Sequence, residues 1–108
     1  MNYFKGTVAL PSTWKDLGFS EIGWLPGSTL IGYSNDSDCN PIATNLADMR
    51  NGYNAFFVRK AFTVPVASDV GSLSLRVDYK DGFVAYINGV EVARRNIAGT
   101  PPAYNANA

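Results

Sequence analysis

The sequence contains no histidine. Its absence removes the commonest general base, the commonest metal ligand and every nucleophile system that histidine activates. There is a single cysteine, Cys39, so no internal disulfide and no thiolate zinc site can form. It stands between Asp38 and Asn40, where a neighbouring carboxylate disfavours a thiolate, and reads as an unpaired loop or edge cysteine. Charge is also scarce. Charged residues make up 17% of the chain, and nine Lys plus Arg balance nine Asp plus Glu. Nucleic-acid binders carry a basic excess, so no nucleic-acid partner is expected. No apolar run approaches the roughly 18 to 20 residues of a membrane span. The opening MNYFKG lacks the apolar core of a signal peptide. Helical periodicity is missing as well: ten glycines and six prolines are scattered along the chain, and no window holds apolar residues at i, i+3, i+4 and i+7 for three turns.

What is present is enough apolar and aromatic material for one core. Of 108 residues, 46% are hydrophobic and 13% aromatic, which fits a single domain over 1–108 and argues against disorder. Strand signals dominate the second half. Residues 55–64 (AFFVRKAFTV) place Phe56, Val58, Phe62 and Val64 on one face, with Lys60 interrupting it, and Pro65 ends the run. Residues 73–79 (LSLRVDY) alternate cleanly: Leu73, Leu75, Val77 and Tyr79 point one way, Ser74, Arg76 and Asp78 the other. Asp81-Gly82 and Asn88-Gly89 are two-residue hairpin signals, because these residues tolerate positive φ. The spacing predicts a three-stranded antiparallel meander over 73–79, 83–87 and 90–94. The first half is looser. Residues 28–33 (STLIGY) predict a short strand, 45–50 at most a turn or two of helix, and 35–41 (NDSDCNP) a polar loop. The tail, 98–108, is irregular. The fold class expected is all-β, a two-layer sandwich before a closed barrel, with Phe56, Val58, Phe62, Leu73, Leu75, Val77, Phe83 and Ile87 as its core.

The order of residues carries a resemblance. Trp14 is followed by Gly18-Phe19-Ser20, Trp24, Gly27 and Ile31-Gly32-Tyr33; then come 57–64 (FVRKAFTV), 77–89 (VDYKDGFVAYING) and 91–96 (EVARRN). This is similar to the galactose-binding-domain-like jelly-roll modules of large secreted bacterial proteins, which sit beside lamin-tail or spore-coat-kinase-like domains. The likeness spans nearly the whole chain and is most specific over 81–96. It implies an antiparallel jelly-roll sandwich outside the cytoplasm, secreted or at the cell surface, serving as a non-catalytic accessory module. Lys80 stands where those modules often carry a first Asp before Asp81-Gly82. Their pattern also continues with further strands beyond a proline-rich stretch like Pro101-Pro102, whereas this sequence ends at Ala108. The sandwich is therefore expected to be incomplete at its C-terminus, with unpaired backbone groups at an open edge. Three readings of that edge stand: a fragment of a longer chain, completion by a strand from a neighbouring chain or a second copy, or a shorter form that closes on itself.

Two candidate sites emerge. Asp36, Asp38 and Asn40 give an alternating oxygen-ligand spacing suited to a structural calcium ion, with Asp48 as a further ligand. Pro41 and Ala47 occupy positions that an EF-hand reserves for Gly and an acid, so that motif is excluded. The bland alternative is an Asx-rich surface turn. Trp24, Tyr33, Tyr86, Arg94 and Asp81 supply the rings, guanidinium and carboxylate that grip a carbohydrate. Against this, Trp14 and Trp24 read first as core or edge packing, and Arg59 as a cross-strand partner of Asp78. The acids lie in turns and on alternating faces, so no catalytic carboxylate pair is expected and the chain is read as no enzyme. The leading expectation is a structural or assembly module; the alternative is a carbohydrate-binding module.

Overall fold

Alternation at the N-terminus builds the centre of the molecule. In Asn2–Lys5 (β1), Asn2 and Phe4 face one way and Tyr3 and Lys5 the other. The computed structural model describes residues 1–33, 42–66, 68 and 70–108. Within it β1 is the middle strand of a three-stranded antiparallel sheet. Leu25–Pro26 (β2) pairs on one edge and Phe56–Arg59 (β5) on the other, with Phe4 opposite Phe57 and Tyr3 opposite Val58. Between them in the chain, Ile31–Gly32 (β3) and Thr44–Asn45 (β4) form a two-residue parallel pair. Phe83–Ile87 (β6) and Val90–Arg95 (β7) form an antiparallel hairpin. Helical structure is limited to short 3-10 turns, among them Ser12–Lys15 and Ala47–Met49. No helix among the described residues is long and apolar enough to cross a membrane. The architecture is thus mostly strand, in small sheets that are antiparallel apart from β3–β4.

Both faces of β1 are used. On one, Phe4 meets the ring of Trp24 at 5.7 Å. On the other, Lys5 donates to Asp48 at 2.6 Å, and Asp48 accepts from the Tyr53 hydroxyl at 3.0 Å. Among the described residues Tyr3, Leu46 and Tyr53 are the buried large apolar side chains, and Leu46 is fully enclosed. The Leu46 amide donates to the Gly32 carbonyl at 2.7 Å, which ties this segment to β3. Gly6 completes the fit beyond β1. Its amide donates to the Ala55 carbonyl at 2.9 Å, and a Cβ at Gly6 would lie 2.4 Å from that oxygen.

The β6–β7 hairpin matches its sequence expectation. Asn88 and Gly89 have φ of 50° and 83°, the positive pair that a tight reversal of the twisted strands needs. One extra residue, Val92, interrupts the register between Ala85↔Ala93 and Tyr86↔Glu91 as a bulge.

The expected third strand of the meander is not formed. Residues 72–79 are in no ladder, and among the described residues their backbone makes no hydrogen bond. Neither Asp81 nor Gly82 takes positive φ, so no tight reversal folds this segment onto β6. Instead the Asn96 side-chain amide donates to the Asp81 carbonyl at 3.0 Å. The expected core changes accordingly. Phe62, Leu73 and Leu75 are 60%, 61% and 55% exposed, and Val58 and Val77 are exposed as well, whereas Phe56, Phe83 and Ile87 are half-buried. The strand expected over 55–64 is confined to Phe56–Arg59, because β1 offers it only four partners. In all, the chain exposes 7951 Å², against roughly 5,900 Å² for a folded monomer of its mass.

Candidate functional site

Trp14, on the first 3-10 turn, organises an aromatic cluster. Its ring lies 6.3 Å from Trp24, 5.1 Å edge-on to Phe57 and 5.8 Å edge-on to Tyr86. Phe19 adds an edge contact to Trp24 at 6.1 Å. Tyr86 belongs to β6 and Phe57 to β5, so Trp14 is what joins the hairpin to the three-stranded sheet. Edge-to-face contacts of this kind contribute about 0.5 to 1.5 kcal/mol beyond the area they bury. All these rings are half-buried.

Arg59 pins the cluster from the end of β5. Its Nε donates to Glu21 at 2.9 Å, and its Nη1 donates to the carbonyls of Trp14 and Asp16. The guanidinium also lies 5.3 Å over the Phe19 ring. Glu21 accepts a further hydrogen bond from Asn2. That bond and the Arg59 contact hold the Glu21 carboxyl below its ordinary range. The expected partner of Arg59, Asp78, is thereby replaced by Glu21. The alternation that suggested a cross-strand pair had no ladder behind it.

The residues proposed for a carbohydrate are brought together only in part. Trp14 links Trp24 to Tyr86, and Lys15 sits 5.3 Å over the Tyr86 ring. Burial raises the Tyr86 hydroxyl above its ordinary range. Tyr33 lies apart, with the Arg50 guanidinium 5.3 Å from its ring. Arg94 is fully engaged within the chain. It grips both oxygens of Glu91, at 2.6 and 3.3 Å, and donates to the carbonyls of Ile97 and Gly99 at 3.1 and 2.6 Å. Asp81 contributes its carbonyl to Asn96, not its carboxylate to a site.

Of the calcium candidates, Asp36, Asp38 and Asn40 lie outside the described residues, as does Cys39. Asp48 is occupied by Lys5 and Tyr53. The Lys5 hydrogen bond pulls the Asp48 carboxyl below its usual range, and burial together with Asp48 pushes Tyr53 well up. Among the described residues no group of three or more His, Cys, Asp or Glu side chains is gathered for a metal.

A shallow cavity of about 280 Å³ opens beside Thr7, Tyr53, Asn54, Tyr104 and Asn105. Its lining is neutral, and Asn54 already donates across it to the Asn105 carbonyl at 3.1 Å. The larger unsatisfied feature is 72–79. There Leu73, Leu75, Val77 and Tyr79 are exposed in alternation, no backbone donor or acceptor is paired among the described residues, and Tyr79 continues the apolar side onto Phe83 through a ring contact of 4.8 Å. The chain matches no protein-family model, and neither a curated protein nor a solved structure is significantly similar to it.

Sequence reasoning missed β1, Glu21 and Asn2. A four-residue run, NYFK, is too short for periodicity to speak, and a single acid in a turn-rich segment carries no pattern. Only the pairing of Asn2 and Phe4 on one face, Tyr3 and Lys5 on the other, held a signal.

Proposed function

We propose that this chain is a non-catalytic structural module, of the extracellular jelly-roll kind that its sequence resembles, and that it works by pairing an exposed strand with a neighbouring polypeptide. One observation carries the proposal. Residues 73–79 have the composition and alternation of a half-buried strand, yet their apolar side and their backbone are both exposed. An unpaired row of amides and carbonyls beside an apolar stripe is a template for strand addition. Main-chain hydrogen bonds supply the affinity, and side chains at alternate positions supply the selectivity.

Light scattering from low to high micromolar concentration tests this. Species larger than the monomer are expected. The double variant Ser74→Pro/Leu75→Pro removes adjacent amides, which point to opposite edges of a strand, so it blocks pairing on either side. It is expected to remain folded and monomeric, because those amides have no partner among the described residues. A wild-type chain that stays monomeric throughout contradicts the proposal.

A further inference from the structure

We infer that the occupant of the 73–79 edge is a second copy of the same chain, paired antiparallel about a two-fold axis at Val77. The inference rests on the strand-pairing reading above and adds partner and register to it.

The register follows from side-chain pattern and charge. In an antiparallel pair, residues directly opposite stand on the same face. Registers that set an apolar position opposite a polar one mix the two faces and are excluded by the alternation. Of the registers that keep the faces apart, one centred on Arg76 sets that cation against its own copy. One centred on Asp78 opposes two carboxylates and also sets Arg76 against Lys80. A parallel in-register pair likewise sets Arg76 on Arg76 and Asp78 on Asp78. The register centred on Val77 differs: Arg76 faces Asp78 of the second copy, Asp78 faces its Arg76, and Leu75 faces its Tyr79. Opposite charges directly across a ladder stabilise it, and like charges destabilise it. Neither Arg76 nor Asp78 has a hydrogen bond or ion pair within the described chain, so both are available for this contact. The formal net charge of zero also leaves no overall repulsion between copies. The axis makes the contact isologous, and we place it at one edge of the strand, so that this contact pairs two copies and closes on itself.

Charge exchange tests the register. Arg76→Asp places two pairs of carboxylates in opposition, and Asp78→Arg places two pairs of guanidinium groups in opposition. Each single variant should dimerise at least about tenfold more weakly than the wild type in sedimentation equilibrium. The double variant Arg76→Asp/Asp78→Arg should regain the dimer. So should an equimolar mixture of the two single variants, since each then supplies the charge that the other lacks. Circular dichroism and thermal melting check that every variant is folded. Recovery in the mixture cannot arise from a folding defect. Assembly that Ser74→Pro/Leu75→Pro abolishes but the charge exchanges leave unchanged overturns this register while the strand-pairing reading stands. Growth beyond the dimer overturns the two-fold arrangement. A monomer at every concentration overturns both.

Discussion

Strand β5 and the segment 73–79 have similar sequences and opposite fates. β5, FFVR, alternates less cleanly, yet it is laddered to β1 and its Phe57 is packed against Trp14. The segment LSLRVDY alternates without a break and is exposed on every residue. The difference lies in what each meets. β5 finds a four-residue edge already fixed by Phe4 on one side and by Lys5 with Asp48 on the other. Residues 73–79 find none among the described residues. Alternation therefore specifies a face but not a partner, and burial follows the partner.

Truncating one residue in each region should give the largest contrast. Trp14→Ala removes the ring that joins the hairpin to the three-stranded sheet and should cost about 3 kcal/mol, the low end for a large aromatic because the ring is half-buried. Leu75→Ser at concentrations that keep the chain monomeric should change stability by no more than about 0.5 kcal/mol. Urea unfolding measures both. Equal losses would mean that 73–79 is packed within the monomer.

A pair of glycines gives the next largest contrast. At Gly6 a Cβ would sit 2.4 Å from the Ala55 carbonyl oxygen, whereas at Gly71 it would meet nothing within 4 Å. Gly6→Ala should therefore lower stability by about 1 to 3 kcal/mol, as overpacking does. Gly71→Ala should be neutral or stabilising by up to about 1 kcal/mol, because it restricts only the unfolded chain. Thermal melting of the two variants side by side settles the sign.

The smallest contrast is in pH. Glu21 and Asp48 have carboxyls held below their ordinary values of 4.5 and 3.8. Their contribution is present above those values and is lost as pH falls through the depressed ones. Lys5 and Tyr53 are raised above 10.5 and 10.0, so their contribution is present below those values and is lost as pH rises past them. Melting temperature should therefore fall at both extremes. Glu21→Gln should flatten part of the acid limb, by no more than about 1 kcal/mol for a partly exposed pair.

Legibility followed the same division. The hairpin was readable to within one residue of its ends, though not its bulge, because the Asn88-Gly89 turn and both strands are local, and local geometry is written in consecutive residues. The 3-10 turn at Ala47–Met49 fell inside the short helical stretch expected over 45–50. The role of Trp14 as packing was legible from its size alone. The rest depended on long-range pairing. Arg59 meets Glu21 across 38 residues, and β1 meets β5 across more than 50. No spacing rule reaches that far. The expectation of a third meander strand failed for the same reason: Asp81-Gly82 permits a reversal without compelling one.

Amide hydrogen exchange read by mass spectrometry over a range of protein concentration tests the central claim most directly. Residues 73–79 are expected to exchange rapidly in dilute solution and to become protected as concentration rises, while the amides of β1, β5, β6 and β7 stay protected throughout. Protection of 73–79 in dilute solution equal to that of the β6–β7 hairpin would contradict the claim, and so would rapid exchange at every concentration.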